Sequence, residues 1–497
     1  MPKLLRRTDV SITSTKSLVS RWAFGLIGSV AQGLVRFLYS ILIGRFVGVT
    51  ALASVNSAMS VALFLSLLWP TSAAQAATRF VAQLRGAEQA DQAQAIANYL
   101  GRRALAASAL LSLVTIGFCL WILHSDLMTA LFAGLLLLAY AGWSFARGVQ
   151  YGAGQIAVAA KWDILGAGLS IGLLAAVLLL DWNALLLLPL ALSYGIYAAV
   201  CWPAKSETVF DRSLAGDLNR FLAYGILGTL SSSGLLQLSM VGAHMAGTSQ
   251  EAGMYAAALS LATPATMMAR TMSQVLFPAM AEAGGRKDAT SLKRQTDAVT
   301  RGLVFSMVGV FGALALTSPL ILDIFFGNRY ADASTVLPVL LMAVMFTTLP
   351  VASVNRLNST GTEGARFVSI VAACGLLLAI ALWLWLAPAM GTNGIALGYL
   401  IATIGTAALP IIRTARLDGQ RWGTLFLRMI GGLLLIATGV TYTWLSNPPH
   451  WVGFALALVF LTIWLLINLR DVRSLRPGRK PEGEQADAAD PSDALGM

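Results

Sequence analysis

Charge is what this sequence has least of. Only 11% of its 497 residues are Asp, Glu, Lys or Arg, whereas 57% are hydrophobic. Mean hydropathy is +0.72. A soluble chain of this size needs roughly a quarter of its residues charged to cover its surface, so lipid is its main solvent. Histidine is scarce: His124, His244 and His450 are the whole supply and stand far apart. HExxH, Walker A and paired-carboxylate motifs are missing, which leaves zinc-dependent and nucleotide-driven chemistry without its usual residues. The three cysteines, Cys119, Cys201 and Cys374, each lie in an apolar run without metal-ligand spacing. They support neither a disulfide framework nor a zinc site. No cofactor is expected, and the chain is not expected to be an enzyme.

Apolar runs are what it has in quantity. Stretches of the roughly 20 residues that span a bilayer lie near 22–46, 51–78, 104–123, 127–146, 162–180 and 183–203. Others follow near 221–245, 253–279, 302–326, 333–355, 367–387 and 393–412, and the last near 425–445 and 450–469. The first is too long for the core of a signal peptide, and none is expected ahead of it. The expected fold is an all-α polytopic membrane protein of about 14 transmembrane helices. With the N-terminus in the cytoplasm, 30 of the 34 Lys and Arg residues fall in inner segments, and Arg45 and Arg329 fall in outer loops. A miscounted helix would scramble that alternation, so the split supports the count together with cytoplasmic N and C termini. It also accounts for the formal charge of +11 without nucleic acid as a partner, since that would need one contiguous basic face.

Two inner connectors, Arg79–Arg103 and Met280–Arg301, are polar and helix-permissive, and each is expected to form an amphipathic cytoplasmic helix. Short matches recur about 200 residues apart. Gly33-Leu34-Val35-Arg36 matches Gly234-Leu235-Leu236-Gln237, and Gly101-Arg102-Arg103-Ala104 matches Thr300-Arg301-Gly302-Leu303. A six-helix unit returns the chain to the same side, so the two copies are parallel repeats able to rock about a central site. The expected organisation is an N-lobe over 1–215, a C-lobe over 216–424, two further helices over 425–470 and a Pro/Gly/acid-rich disordered tail over 471–497.

Two cations fall deep inside spans. Arg36 lies about 14 residues, or roughly 21 Å, into the first, and Arg270 about 17 residues into the eighth. Burying such a charge costs several kcal/mol, so a water-filled cavity or an anionic partner is the default expectation. Contacts to backbone carbonyls and nearby Ser, Thr and Asn are the purely structural alternative. Arg79, Arg147 and Arg356 stand at inner helix ends, where they either line the mouth of a cavity or simply follow the positive-inside pattern. Embedded acids are missing in this reading, because Asp163 and Asp323 fall near span ends. Arginines without a carboxylate suit an anion, and the planar guanidinium fork suits phosphate and pyrophosphate best. Pro70 and Pro264 are expected to kink the second and eighth spans.

Several runs resemble one family. They are Ile43-Gly44-Arg45-Phe46-Val47-Gly48, Ala77-Thr78-Arg79-Phe80-Val81-Ala82 and Gln274-Val275-Leu276-Phe277-Pro278-Ala279-Met280. The turn Ile324-Phe325-Phe326-Gly327-Asn328-Arg329-Tyr330, the run Asn355-Arg356-Leu357-Asn358-Ser359-Thr360-Gly361 and Gly391-Thr392-Asn393-Gly394-Ile395-Ala396 continue the series. In order and spacing, over about residues 20–412, they are similar to the multidrug/oligosaccharidyl-lipid/polysaccharide exporter superfamily, Wzx-type branch, related to the lipid II flippases. The resemblance implies alternating-access transfer of undecaprenyl-pyrophosphate-linked oligosaccharide across the bacterial inner membrane, for exopolysaccharide, O-antigen or capsule. It implies a cationic central cavity and places Arg36 and Arg270 on the first and eighth spans, between which the lipid tail is expected to pass. Membrane lipid and polysaccharide polymerase or export proteins are the implied partners. A cation-coupled multidrug antiporter and a scaffold of the export machinery are the alternatives.

Overall fold

The computed structural model describes residues 18–211, 214–264, 280, 289–359, 362–446 and 448–474. Among them helices are the regular structure and no strand occurs. The first half comprises α1 (Leu18–Phe46), α2 (Val49–Ser66), α3 (Pro70–Gly86), α4 (Ala90–Trp121), α5 (Leu127–Gly152), α6 (Ile156–Leu179) and α7 (Leu188–Cys201). The second comprises α8 (Ala215–Ala246), α9 (249–264), α10 (Ala289–Leu316), α11 (Ser318–Phe326), α12 (Leu337–Thr348), α13 (Val351–Ser359) and α14 (Thr362–Asp418). Two more, α15 (Gly423–Ser446) and α16 (His450–Ser474), complete the chain. Ten helices are long and apolar enough to cross a membrane among the residues described, and one of those ten is α14, which holds two spans.

Breakers set the boundaries. The second span divides at Trp69, and α3 restarts with Pro70 at its first position, where the missing N–H costs nothing. At about 1.5 Å per residue, the 57 residues of α14 would reach roughly three bilayer thicknesses if straight. Instead Gly391 takes φ 55°, ψ −134°, and the chain doubles back. Trp383 Nε1 donates to the Ile395 carbonyl across the break (2.9 Å). The two arms correspond to the spans expected near 367–387 and 393–412. Helix α9 runs through Pro264; the chain beyond it, including the expected kink and Arg270, lies outside the described residues. So does the tail after Ser474.

The connector Arg79–Arg103 forms no separate amphipathic helix. Its first part extends α3 to Gly86, its last part begins α4 at Ala90, and only a tight turn separates them. Polar, Ala-rich sequence is good helix former, so both spans simply continue past the apolar region. The described part of the second connector behaves alike, because α10 begins at Ala289 and runs without a break into the ninth span.

In the first half, α5 packs on α3, α4 and α7, and α1 packs on α6; in the second, α14 packs on α8, α12 and α13, and α10 on α12, α15 and α16. Small residues permit the closest approaches. A side chain at Gly148 or Gly152 would strike the backbone of α3 at Ala74 or Thr78, and Thr78 Oγ1 donates to the Gly148 carbonyl (3.0 Å). Such small-residue crossings are what drive helix association where apolar burial offers no gain. The halves meet through α8 on α2 and α3, and through α1 on α11. At the end of the bundle where α1 closes, Tyr330 Oη donates to the Gly44 carbonyl (3.0 Å), Arg45 to the Ile324 carbonyl (2.9 Å), and Gly253 sits where any side chain would hit the Val49 carbonyl.

Candidate functional site

Polar and aromatic side chains converge inside the first half. Arg36 on α1 stacks over the Tyr140 ring of α5, 5.2 Å from its centroid. Tyr194 of α7 is buried with its hydroxyl beside the guanidinium. Trp143 holds the centre, with ring centroids 5.2 Å from Tyr140 and 5.0 Å from Tyr194. Among the described residues no carboxylate forms an ion pair with Arg36. A cation–π contact is worth about 2 kcal/mol or more once desolvated, which holds the group in place without cancelling its charge.

One turn further along α5 the charge is cancelled. Arg147 Nε donates to Asp163 Oδ2 at 2.8 Å, and a second nitrogen donates to Tyr151 Oη at 2.9 Å. Asp163 is completely buried and also accepts from Trp143 Nε1 (3.0 Å) and, at the limit of bonding, from Gln32 Nε2 of α1 (3.5 Å). An isolated buried carboxylate is very costly, and three donors from two helices are what make it tenable. Tyr197 Oη donates to Gln150 Oε1 (2.6 Å) and closes the cluster toward α7.

The expectation that embedded acids are missing is therefore corrected. Asp163 lies about two turns inside α6, because the helix begins at Ile156 rather than near 162. The helix start is set by the preceding turn, where Gly154 has φ 74° and the Gln155 amide reaches back to the Gln150 carbonyl (2.8 Å). This is the six-to-one bond that ends α5 and releases the chain into α6. The hydropathy of Lys161 and Asp163 hid that start. A search for acids 16 residues from an arginine across a short turn would have raised Asp163, but nothing in the sequence alone selects it.

The other expected site residues separate. Arg79 is exposed on α3 and lies over the Phe221 ring of α8, 4.8 Å from its centroid. Arg356 on α13 pairs with Asp418, at the end of α14, through two bonds of 3.1 and 2.8 Å. Arg36 and Arg147 thus share one cluster, Arg79 bridges the halves, and Arg356 belongs to the second half. The residues Gly168-Leu169-Ser170-Ile171-Gly172 spell the GxSxG pattern, yet they sit in mid-helix with Ser170 Oγ bonded to the Gly166 carbonyl (2.9 Å), so no nucleophile elbow exists there.

An all-helical bundle with internally broken helices and charged groups held inside one half is the architecture of a polytopic membrane protein. Residues 156–335 match the family model described as "Polysaccharide biosynthesis protein", and residues 26–130 match the model MatE. No curated protein sequence matches the chain. Among solved structures, an inward-facing multidrug resistance MATE family transporter of the MOP superfamily has TM-score 0.66 at 15% identity, over 81% of this chain and 98% of that one. The lipid II flippase MurJ in an inward closed conformation also has TM-score 0.66, at 14% identity, over 91% of this chain and 100% of that one. An outward-facing MATE family transporter has TM-score 0.56 at 16% identity, over 84% and 97%. The resemblance to the multidrug/oligosaccharidyl-lipid/polysaccharide superfamily thus holds in both sequence models and fold.

Proposed function

We propose that this chain is a flippase that carries pyrophosphate-linked oligosaccharide on a polyprenyl lipid from the inner to the outer leaflet of a bacterial inner membrane. Its N-lobe (1–215) and C-lobe (216–424) would alternate access to a cationic interior, and the helices of 425–470 would flank the C-lobe. The observation that carries this reading is Arg36. It is embedded, has no carboxylate partner among the described residues, and is surrounded by the rings of Tyr140 and Tyr194. Such a group suits a phosphate. The Asp163 charge does not compete for it, because Arg147, Trp143 and Gln32 already satisfy that carboxylate. The family model named for polysaccharide biosynthesis supports the glycan part of the reading, and the outer contacts at Gly44, Arg45 and Gly253 favour loading from the inner side.

Complementation tests it. In a strain lacking its own repeat-unit flippase, the chain restores surface polysaccharide, Arg36→Ala abolishes export at normal expression, and Arg36→Lys retains part of it. Wild-type export by Arg36→Ala removes the site from the mechanism. Arg270, Arg79, Arg147 and Arg356 remain proposed contributors.

A second reading has one specific observation in its favour. Asp163 is a buried carboxylate in the first half, and such a group is what a cation-coupled multidrug antiporter requires. Drug tolerance on overexpression that Asp163→Asn abolishes, without any polysaccharide phenotype, selects that alternative.

A further inference from the structure

The basic face of the molecule differs from one half to the other. On the first half the exposed cations Arg79, Arg102, Arg103, Lys161, Lys205 and Arg220 share the surface with five exposed acids, Glu88, Asp91, Glu207, Asp211 and Asp217. Mixed charges at that density screen one another and present no net field to an anion. On the second half, the start of α10 and the turn from α14 to α15 build a different surface.

Gly419 takes φ 59° and ends α14, with the Gln420 amide bonded back to the Ala415 carbonyl (2.9 Å). The turn is then fastened along α10. Gln420 Nε2 donates to the Lys293 carbonyl (2.9 Å), and Trp422 Nε1 donates to Asp297 Oδ1 (2.7 Å). Four exposed cations meet at this corner: Lys293, Arg294, Arg416 and Arg421. Among the described residues its two acids are already engaged, Asp297 by Arg301 and Trp422, and Asp418 by Arg356. The positive charge is therefore left unopposed by these two carboxylates. Leu417, Leu427 and Ile430 are exposed apolar side chains on the same two helices, so the corner stands where the lipid-facing surface meets the charged face.

We propose that this corner is a binding site for an anionic phospholipid, its headgroup held by Lys293, Arg294, Arg416 and Arg421 and its acyl chains laid along Leu417, Leu427 and Ile430. Clusters of four or more basic residues beside a membrane helix attract acidic lipid, about fivefold in binding per residue, and guanidinium forks fit phosphodiester oxygens. The adjoining apolar surface commits the site to a lipid rather than to free phosphate. The site is independent of the flippase reading, because it uses none of the residues around Arg36.

The test is native mass spectrometry of the full chain in detergent, titrated with phosphatidylglycerol, with phosphatidylcholine, and with phosphatidylglycerol plus inorganic phosphate. The corner variant combines Lys293→Gln, Arg294→Gln, Arg416→Gln and Arg421→Gln. Its control carries the same charge change on the first half: Arg102→Gln, Lys161→Gln, Lys205→Gln and Arg220→Gln. We expect the corner variant to bind phosphatidylglycerol at least about tenfold more weakly, the control to stay within about twofold of the parent, and phosphatidylcholine to bind weakly throughout. The pairs Lys293→Gln/Arg294→Gln and Arg416→Gln/Arg421→Gln, tested separately, give intermediate losses and keep the result readable where the fourfold change impairs folding. Equal losses in corner and control, equal binding of phosphatidylcholine, or displacement of phosphatidylglycerol by inorganic phosphate at matched concentration each overturns the proposal, the last by making the site one for soluble anions.

Discussion

Arg147 on α5 and Arg356 on α13 belong to different halves, each lies near the C-terminal end of its helix, and each is bonded to an aspartate at 2.8 Å. The settings differ. Asp163 lies two turns inside α6, has no solvent exposure, and also accepts from Trp143. Asp418 is the last residue of α14, next to the turn at Gly419. The first pair is a core element shared by α1, α5 and α6; the second ties the end of α14 to α13. What differs is access to water once a partner is lost. A carboxylate at a helix end can rehydrate by small movements of the turn, and one inside a packed lobe cannot.

Breaking the first pair gives the largest expected effect. Arg147→Ala leaves Asp163 uncompensated and costs about 3–5 kcal/mol of stability, read as a fall in the midpoint of thermal unfolding in detergent. Adding Asp163→Asn to that variant recovers most of the loss, because the charge then disappears with its partner. Arg356→Ala is expected to cost about 1–3 kcal/mol by the same measurement, less than its counterpart. Equal losses would end the contrast between the halves. Smaller again is Tyr330→Phe, which removes one bond to the Gly44 carbonyl where the halves meet and costs about 1 kcal/mol. Its more telling readout is faster labelling of a cysteine placed at Ser57, beside His244, by a membrane-impermeant maleimide.

An effect of similar size, confined to neutral pH, sharpens the comparison from the far end of the helix that carries Arg147. Asp126 caps α5 by accepting from the Thr129 amide (2.9 Å). Partial burial works to raise its pKa, but the hydrogen bonds from Thr129 and neighbouring amides outweigh it and hold the carboxyl below its ordinary value. A depressed value means that the cap's contribution is complete above the unfolded-state pKa and is lost as pH falls through the folded one. Asp126→Ala is therefore expected to cost about 1 kcal/mol at neutral pH and nothing in strong acid, with no change in export. An export defect from this variant would show that the outer end of α5 is mechanistically coupled to the inner one.

Most of the spans were legible because apolar length and breaker residues act locally. Trp69-Pro70 divides the second span and Gly391 the long helix for reasons contained in a few residues. Arg36 was legible for a related reason, since a cation far from both ends of an apolar run stands out in any window. Asp163 was not. A window places the span where hydropathy rises, whereas the helix starts where the turn at Gly154 releases the backbone. The fates of Arg79, Arg147 and Arg356 were illegible together, because an arginine at a helix end reads the same whether it faces an open mouth, an aromatic ring or a carboxylate from another helix. The connector Arg79–Arg103 was misjudged for want of the same information: its helical propensity was evident, but not that each end belonged to a neighbouring span.

By itself the sequence determined that this chain lives in a bilayer, where the long apolar runs divide and which cations stand far from the ends of those runs, since each follows from transfer energy and backbone geometry over a short stretch. Only the tertiary structure decided which charges survive as charges. Pairing depends on groups brought within about 3 Å from different helices, and a hydropathy profile contains no such distances. Packing therefore cancelled Arg147 against Asp163 and Arg356 against Asp418, and left Arg36 among aromatic rings without a carboxylate partner among the described residues.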